Sequence, residues 1–282
     1  MKDATGTRQN GIVGVFNRAA ATYDRIGPRF FTHFGQRLVD LTQVAPGAQV
    51  LDVAAGRGAV LFPVATRVGP RGRVVGTDLS TDMVRETAAD IERAGWQQAR
   101  MQQMDAQALQ FPAAAFDCVL CGFALWYLPQ PHHALREFHR VLKPGGRLGL
   151  STWADDCPFL LWCLRELTAA LPPQSPPAAG GQEEPRFDTP ARLETALRQA
   201  GFGDIQVRSD EADFVYAQDE EWWLSLWSHG ARALLERLEP TTLAQVKTRL
   251  LHQAQALKQP DGIHTRFRAL YAFGTKPVAG SR

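Results

Sequence analysis

The stretch Val50-Leu51-Asp52-Val53-Ala54-Ala55-Gly56-Arg57-Gly58-Ala59 does more than any other to limit what this chain can become. A short apolar run enters a turn of small residues and a helical stretch follows, the opening of a strand–turn–helix unit. Ala or Gly at 54, 56 and 58 lets backbone approach a ligand where a side chain would stand in the way. An ordinary tight turn would use the same residues, so the motif needs company before it implies a ligand. No Lys followed by Ser or Thr comes after Gly58, so nothing would reach the β- and γ-phosphates of a nucleotide, and a P-loop is excluded. The company comes from Val74-Val75-Gly76-Thr77-Asp78-Leu79-Ser80, which places a carboxylate at the end of the next strand, 22 residues beyond Gly56. That spacing suits an acid accepting both hydroxyl hydrogens of a ribose. Ser80, followed by Thr81 and Asp82, is the better cap for the next helix, which leaves Asp78 for a ligand.

Short β-rich runs at Gln49–Val53, Arg73–Gly76, Ala99–Gln103, Phe116–Cys121 and Arg147–Thr152 alternate with helical stretches, the pattern of βαβ units and a parallel sheet. Ahead of them, residues 1–45 read as helical, with Phe16, Tyr23, Phe30, Phe31, Phe34 and Leu38 on a broad apolar face that ends before Pro46-Gly47. Behind them, a Pro-, Ala- and Gly-rich loop at 171–181 interrupts the alternation. A helix at Pro190–Ala200, stopped by Gly201, leads into a strand at Gln206–Phe214, and a last strand is expected at Thr265–Phe273.

The 282 residues can bury the core of one large domain, or of a domain with a cap. Lys plus Arg number 31 against 29 Asp plus Glu, a balance that removes the electrostatic case for a nucleic-acid binder. Cys118, Cys121, Cys157 and Cys163 are too few for a disulfide framework and point to a reducing compartment. The first residues lack the apolar core of a signal peptide and no stretch reaches membrane-spanning length, so a cytoplasmic protein without membrane insertion is expected.

Two further motifs complete the order. Met104-Asp105-Ala106 follows the third strand, where Asp105 could accept a hydrogen bond from an adenine amine. After the fourth strand, Ala134 to Lys143 forms a helix ended by Pro144-Gly145-Gly146 before the fifth. In this order the motifs resemble the class I S-adenosylmethionine-dependent methyltransferases, especially the small-molecule enzymes similar to those of ubiquinone and menaquinone biosynthesis. The specific part of the likeness spans about residues 48–153. It implies S-adenosyl-L-methionine as cofactor, with Asp52, Ala54, Ala55, Gly56 and Gly58 around the methionine part, Asp78 at the ribose, Asp105 and Ala106 at the adenine, and Leu79, Met83, Met104 and Cys121 as further cofactor contacts. Ala54 stands where the family has its first turn glycine, a small change that should still admit the cofactor.

Methyl transfer is an in-line displacement, so the protein must mainly align three atoms and exclude water, and a strong base is optional. Tyr23 either closes the site, as the resemblance implies for the N-terminal helix, or packs as a core aromatic. His132 and His133 open the helix after the fourth strand, with His133 a catalytic candidate against a solvated helix start. Cys118 and Cys121 face opposite sides of a strand, and no other cluster has metal-ligand spacing, so no metal is expected. Phe123 and Tyr127 follow the fourth strand, where open α/β sheets bind ligands beyond their carboxyl ends, and are candidates to line the acceptor site. Relatives implied by the resemblance join their last two strands by a short hairpin, whereas here Ala217 to Thr265 intervene, with Trp222, Trp223 and Trp227 near the start. So much aromatic surface should cover something. Trp223 and Trp227 are therefore candidates to cover the acceptor, with packing on the sheet or at a dimer interface as the alternative.

The expected organisation is a Rossmann-like seven-stranded α/β sheet, mostly parallel with an antiparallel last strand, under a helical cap. Residues 1–45 form the N-terminal cap, 46–153 the cofactor-binding core, 154–188 a lid insertion, 189–216 the rest of the core, 217–264 a substrate-cap insertion, and 265–282 the last strand and tail. The expected activity is methyl transfer to O or C of a small, largely apolar molecule by a monomer or homodimer. One alternative is a protein of this fold that keeps the cofactor structurally and templates a cyclisation or binds a ligand. Another is an NAD-dependent oxidoreductase, but it predicts a Tyr-x-x-x-Lys pair that the chain lacks.

Overall fold

A computed structural model of the chain describes residues 4–172 and 186–278. The Pro-rich loop expected at 171–181 falls outside the described residues from 173 onward, as does the end of the expected tail. In chain order the elements are α1 (Ala4–Ala19), α2 (Phe30–Thr42), β1 (Gln49–Val53), α3 (Leu61–Val68), β2 (Arg73–Asp78), α4 (Thr81–Arg93), β3 (Ala99–Gln103), β4 (Phe116–Gly122), α5 (Pro131–Val141), β5 (Leu142–Trp153) and α6 (Pro158–Ala169). There follow α7 (Pro190–Gln199), β6 (Gly203–Tyr216), α8 (Asp219–Trp227), α9 (Arg232–Leu235), α10 (Pro240–Ala254), β7 (Lys258–Gln259) and β8 (Gly262–Thr275).

The continuous sheet runs β3-β2-β1-β4-β5-β8-β6, and β7 adds a two-residue rung on β8. β1 to β5 pair in parallel, and β8 is antiparallel to both of its long neighbours. This is the expected seven-strand path with one short strand outside it. Chain order reverses between β1 and β4, so a crevice opens beyond the carboxyl ends of those two strands. β1 has no alternation because both of its faces are covered. Val50 joins a core with α2 and α3, while Leu51 and Val53 join one with α5 and α7 on the other side. The same two-sided burial sends Cys118 into the first core and Cys121 into the second, as their spacing predicted.

The caps follow the residues. Ser80 Oγ accepts from Met83 N at 3.1 Å to start α4, and Thr189 does the same for Arg192 at the start of α7. α2 lacks a cap of its own at Arg29, and Asp24 reaches over instead, accepting from the backbone N–H groups of Phe31 at 3.1 Å and Thr32 at 2.9 Å. β5 begins at Leu142 rather than near Arg147: Leu142 already pairs with Phe116, and a register shift before Cys118 absorbs the Pro144-Gly145-Gly146 turn.

α6, after β5, and the helices between β6 and β8 do not pack separately. Cys163 and Leu167 of α6 share a third core with Trp222, Trp223 and Leu226 of α8, Leu235 of α9 and Val246 and Leu250 of α10. Among the described residues no helix is long and apolar enough to cross a membrane.

Candidate active site

The turn after β1 is held open by its neighbours. Ala55 N–H donates to Thr77 O at 2.8 Å, Gly58 N–H to Ala55 O at 2.8 Å, and Thr87 Oγ1 to Gly56 O at 2.8 Å. Arg57, buried beside the turn, pairs with Asp90 at 2.6 Å and reaches Ala20 O at 2.5 Å, pinning the turn to both α4 and the end of α1. Gly56 has φ +51°, and a Cβ added there would come no closer than 3.9 Å to Tyr23, so its bare face looks into the cleft.

Strain collects at the same place. Ala54 (φ +54°), Phe123 (φ +54°) and Asp24 (φ +53°) all adopt the left-handed region without being glycine, and all three line one cavity of about 240 Å³. Each costs roughly 1–2 kcal/mol relative to ordinary backbone and persists only because its surroundings fix it. A second cavity, of about 100 Å³, meets the first at Tyr23, Ala54, Gly56, Gly122 and Phe123. Its other walls are Asp78 and Leu79 after β2, Met83 of α4, and Met104, Asp105 and Ala106 after β3. Ile12, Val13 and Phe16 of α1, which no motif had singled out, cover it from above.

Charge in the cleft is unevenly answered. Asp78 Oδ2 accepts from Gly56 N at 2.9 Å and Oδ1 from Ser80 N at 2.9 Å, so the turn and the strand end share one carboxylate. Burial raises its pKa, and those backbone donors oppose the rise. Asp52 is 1% exposed and neither carboxylate oxygen has a hydrogen-bond partner among the described residues. Burial, with Asp78 adding repulsion, holds its pKa well above the ordinary range; the Leu61 N–H opposes the rise but lies outside hydrogen-bond geometry. A buried, unanswered carboxylate beside a cavity calls for a cation. S-adenosylmethionine meets this pattern: its ammonium would answer Asp52, its ribose would lie at Asp78, and its adenine would lie among Leu79, Met83, Met104 and Ala106. Asp105 Oδ1 accepts from Gln107 N at 2.9 Å, which fixes the carboxyl's orientation at that end. Arg29, exposed on the rim of the larger cavity, would supply a positive group for the methionine carboxylate.

Around Phe31 and Phe123, which line the larger cavity, the packing turns aromatic. Phe31 stacks on Tyr23 with ring centres 5.2 Å apart, Phe123 lies 5.5 Å from Phe31, and Trp153, at the end of β5, lies 4.2 Å from Phe123. The ring of His229, between α8 and α9, meets Phe30 at 5.7 Å and Phe31 at 6.4 Å. Tyr127 keeps 39% of its surface open, as a wall of the smaller cavity, yet protein surrounds its hydroxyl and burial pushes its pKa up to about 12. Tyr23 is pushed well above the ordinary value, first by burial and then by Tyr127, Asp24 and Asp78.

Four of the residues singled out by sequence lie elsewhere. Cys121 is fully buried beneath the cleft and lines neither cavity. His133 is exposed on α5, off the buried face formed by Pro131, Ala134, Leu135 and Phe138, and lines neither cavity. Trp223 is buried in the third core, and half-buried Trp227 packs 6.4 Å from it with Arg232 over its ring; neither lines a cavity. Conversely, sequence reasoning passed over Phe31, which lines the larger cavity, and over Trp153 and His229, which line neither cavity but pack on Phe31 from behind the wall. Trp153 carried a signal, its place at the carboxyl end of a parallel strand.

Known proteins agree with this geometry. Residues 50–146 match the model of a methyltransferase domain. Nocamycin O-methyltransferase of Saccharothrix syringae is 33% identical over 276 residues, which span 94% of this chain and 99% of that protein. Aklanonic acid methyltransferase DauC of Streptomyces sp. (strain C5) is 36% identical over 163 residues, 57% of this chain and 73% of that protein. In fold, the crystal structure of the YcgJ protein from Bacillus subtilis superposes with a TM-score of 0.60 at 21% identity, covering 88% of this chain and 100% of that one. With a relative of near-equal length above the cofactor-binding turns, the chain belongs to the class I S-adenosylmethionine-dependent small-molecule methyltransferases.

Proposed function

We propose that the chain methylates an acidic oxygen, a carboxylate or the enolate of a conjugated dicarbonyl, on an apolar polyketide-like molecule. The observation that carries this reading is the cluster of rings around Phe31, Phe123 and Trp153 beside the cofactor cleft, whose titratable ring neighbours Tyr23, Tyr127 and His229 are uncharged near pH 7. Tyr23 and Tyr127 hold their protons, and burial keeps His229 unprotonated with a pKa of about 4. None is poised to take a proton at neutral pH, so the acceptor arrives already ionised. The names of the relatives support this, one being a natural-product O-methyltransferase and the other acting on an acid.

When bound, S-adenosylmethionine supplies a methyl group on positively charged sulfur, which departs as a neutral thioether. An ionised oxygen of the acceptor would take that methyl group with no proton to be moved by the chain. The residues of the chain bind and orient. Asp52 and Asp78 fix the cofactor end, Phe31, Phe123 and Trp153 exclude water and hold the acceptor's rings, and Tyr23 and Tyr127 remain hydrogen-bond donors. In this reading α1, α2, α6 and the helices between β6 and β8 act together as the cap.

The test is incubation with methyl-labelled S-adenosylmethionine and a panel of aromatic and polyketide acids, phenols and carbon nucleophiles. Base-labile methyl esters or enol ethers are expected, with kcat/KM flat from about pH 6 to 9 once the acceptor is ionised. Label found only on carbon, or a bell-shaped profile with a histidine-like limb near pH 6.5, overturns the reading.

A further inference from the structure

The unsettled question at this site is what holds the acceptor's oxygen, and the cap insertion offers one polar group for the task. His229 follows α8 in Ser228-His229-Gly230, a loop pressed against both walls of the cleft. On one side its ring is edge-on to Phe30 and Phe31, with interplanar angles of 75° and 78°, and Phe31 lines the larger cavity. On the other side a Cβ added at Gly230 would lie 2.1 Å from the Tyr127 hydroxyl, and Tyr127 lines the smaller cavity. The loop can touch Tyr127 only because residue 230 is glycine.

The ring's protonation follows from its contacts. Nδ1 accepts from Ala231 N–H at 3.4 Å, which requires a lone pair there. The lowered pKa has burial as its cause, with no charged partner contributing. The neutral ring therefore carries its proton on Nε2, which makes no hydrogen bond among the described residues. His264, by contrast, has both ring nitrogens engaged, by Asp213 at 2.7 Å and Asp261 at 2.8 Å. His229 is half-buried and its Nε2 is not among the fully enclosed polar atoms, so this N–H is open to an oxygen acceptor.

We infer that His229 binds the methyl acceptor, its Nε2–H donating a hydrogen bond to one oxygen of the acidic group while the partner oxygen, or the same oxygen's free lone pair, meets the methyl carbon. This rests on the preceding reading that the acceptor is an ionised oxygen acid. His229 is then the neutral donor of a site whose positive charge comes from the cofactor's sulfur, and it specifies an apolar acid over an apolar hydrocarbon of the same shape.

Two experiments on the whole chain test this. In the first, His229→Phe and His229→Gln are compared with the parent in steady-state kinetics and in calorimetry with S-adenosylhomocysteine. His229→Phe should raise the acceptor KM roughly tenfold to a hundredfold and leave the S-adenosylhomocysteine constant within about twofold. His229→Gln, which keeps an N–H donor, should recover most of that loss. An unchanged KM in His229→Phe, or a Gln variant as impaired as Phe, overturns the proposal. The second uses ¹⁵N-histidine-labelled parent protein with S-adenosylhomocysteine, titrated with 2-naphthoate as probe. The His229 signals should show the Nε2–H tautomer down to about pH 5.5, and naphthoate should shift Nε2. A proton on Nδ1, or no response to naphthoate, overturns the proposal. The titration needs no turnover, so a failure of the acceptor panel and a failure of His229 are seen separately.

Discussion

The cofactor end of the cleft and the acceptor end are built from different materials. At the cofactor end the work falls to backbone: three turns after β1, β2 and β3, a glycine at φ +51°, an alanine forced into the same region, and two carboxylates, one satisfied by N–H groups and one left unanswered. At the acceptor end the backbone contributes little and rings do the work, with Phe31 from α2, Trp153 from β5 and His229 from the insertion brought together from far apart in sequence. A site of the first kind recognises an unchanging molecule through groups that cannot move. A site of the second kind recognises shape and apolar area, and its rings can be replaced one at a time.

The sharpest break in this contrast is at Gly56. Gly56→Val sets a β-branched residue at a positive φ and aims its side chain into the cleft. It should reduce S-adenosylhomocysteine affinity by at least about a hundredfold in calorimetry, equivalent to roughly 3 kcal/mol. Asp78→Ala comes next: loss of a charged acceptor should cost about 1–3 kcal/mol of cofactor binding. Because Asp78 also receives Gly56 N–H and Ser80 N–H, the melting temperature should fall with it. If binding is untouched by either change, the cofactor end does not rest on these groups.

At the other end, Phe31→Leu removes the ring stacked on Tyr23 while keeping bulk. It should raise the acceptor KM about twofold to thirteenfold, equivalent to about 0.5–1.5 kcal/mol, with cofactor affinity unchanged. Equal losses for both ligands would show that the two ends are one. The smallest effect is expected from Ala54→Gly. Relief of left-handed strain, about 1–2 kcal/mol, is partly offset by the greater freedom of glycine in the unfolded chain, about 0.5–1 kcal/mol. The variant should therefore melt slightly higher and bind cofactor as before, and a lower melting temperature would show that the Ala54 methyl packs better than its backbone suggests.

How much the sequence disclosed follows the same division. The strand–turn–helix at 50–59 and the acid at 78 were legible because the pattern is local: the residues that line that end of the cleft are neighbours in the chain. The acceptor end was not, since ring packing depends on contacts across most of the sequence. The tryptophans show this well. That Trp222 and Trp223 cover apolar surface could be read from their clustering, but not which surface, and they are buried against Cys163 and Leu167 of α6. His133 misled for a related reason. Its place after β4 is near the cleft along the chain, yet the buried stripe of α5 runs through residues 131, 134, 135, 138 and 141 and leaves 133 in solvent. His229 had no local pattern at all, and only the glycine after it, needed where Tyr127 crowds the loop, hinted at a close approach.

The insertion between β6 and β8 has one further property. Its two ends are neighbours: Tyr216 is paired with Ile263, and the strands stay zipped from there through Gln206 and Phe273. Whatever is spliced between them starts and finishes at one fixed point on the sheet, and extra length there adds only a slowly growing entropy cost to folding. The segment behaves like an exchangeable bit on a fixed tool holder. A lineage, or an engineer, can swap it to reach new acceptors without reopening the sheet, provided that the replacement brings a residue as small as glycine to the Tyr127 hydroxyl.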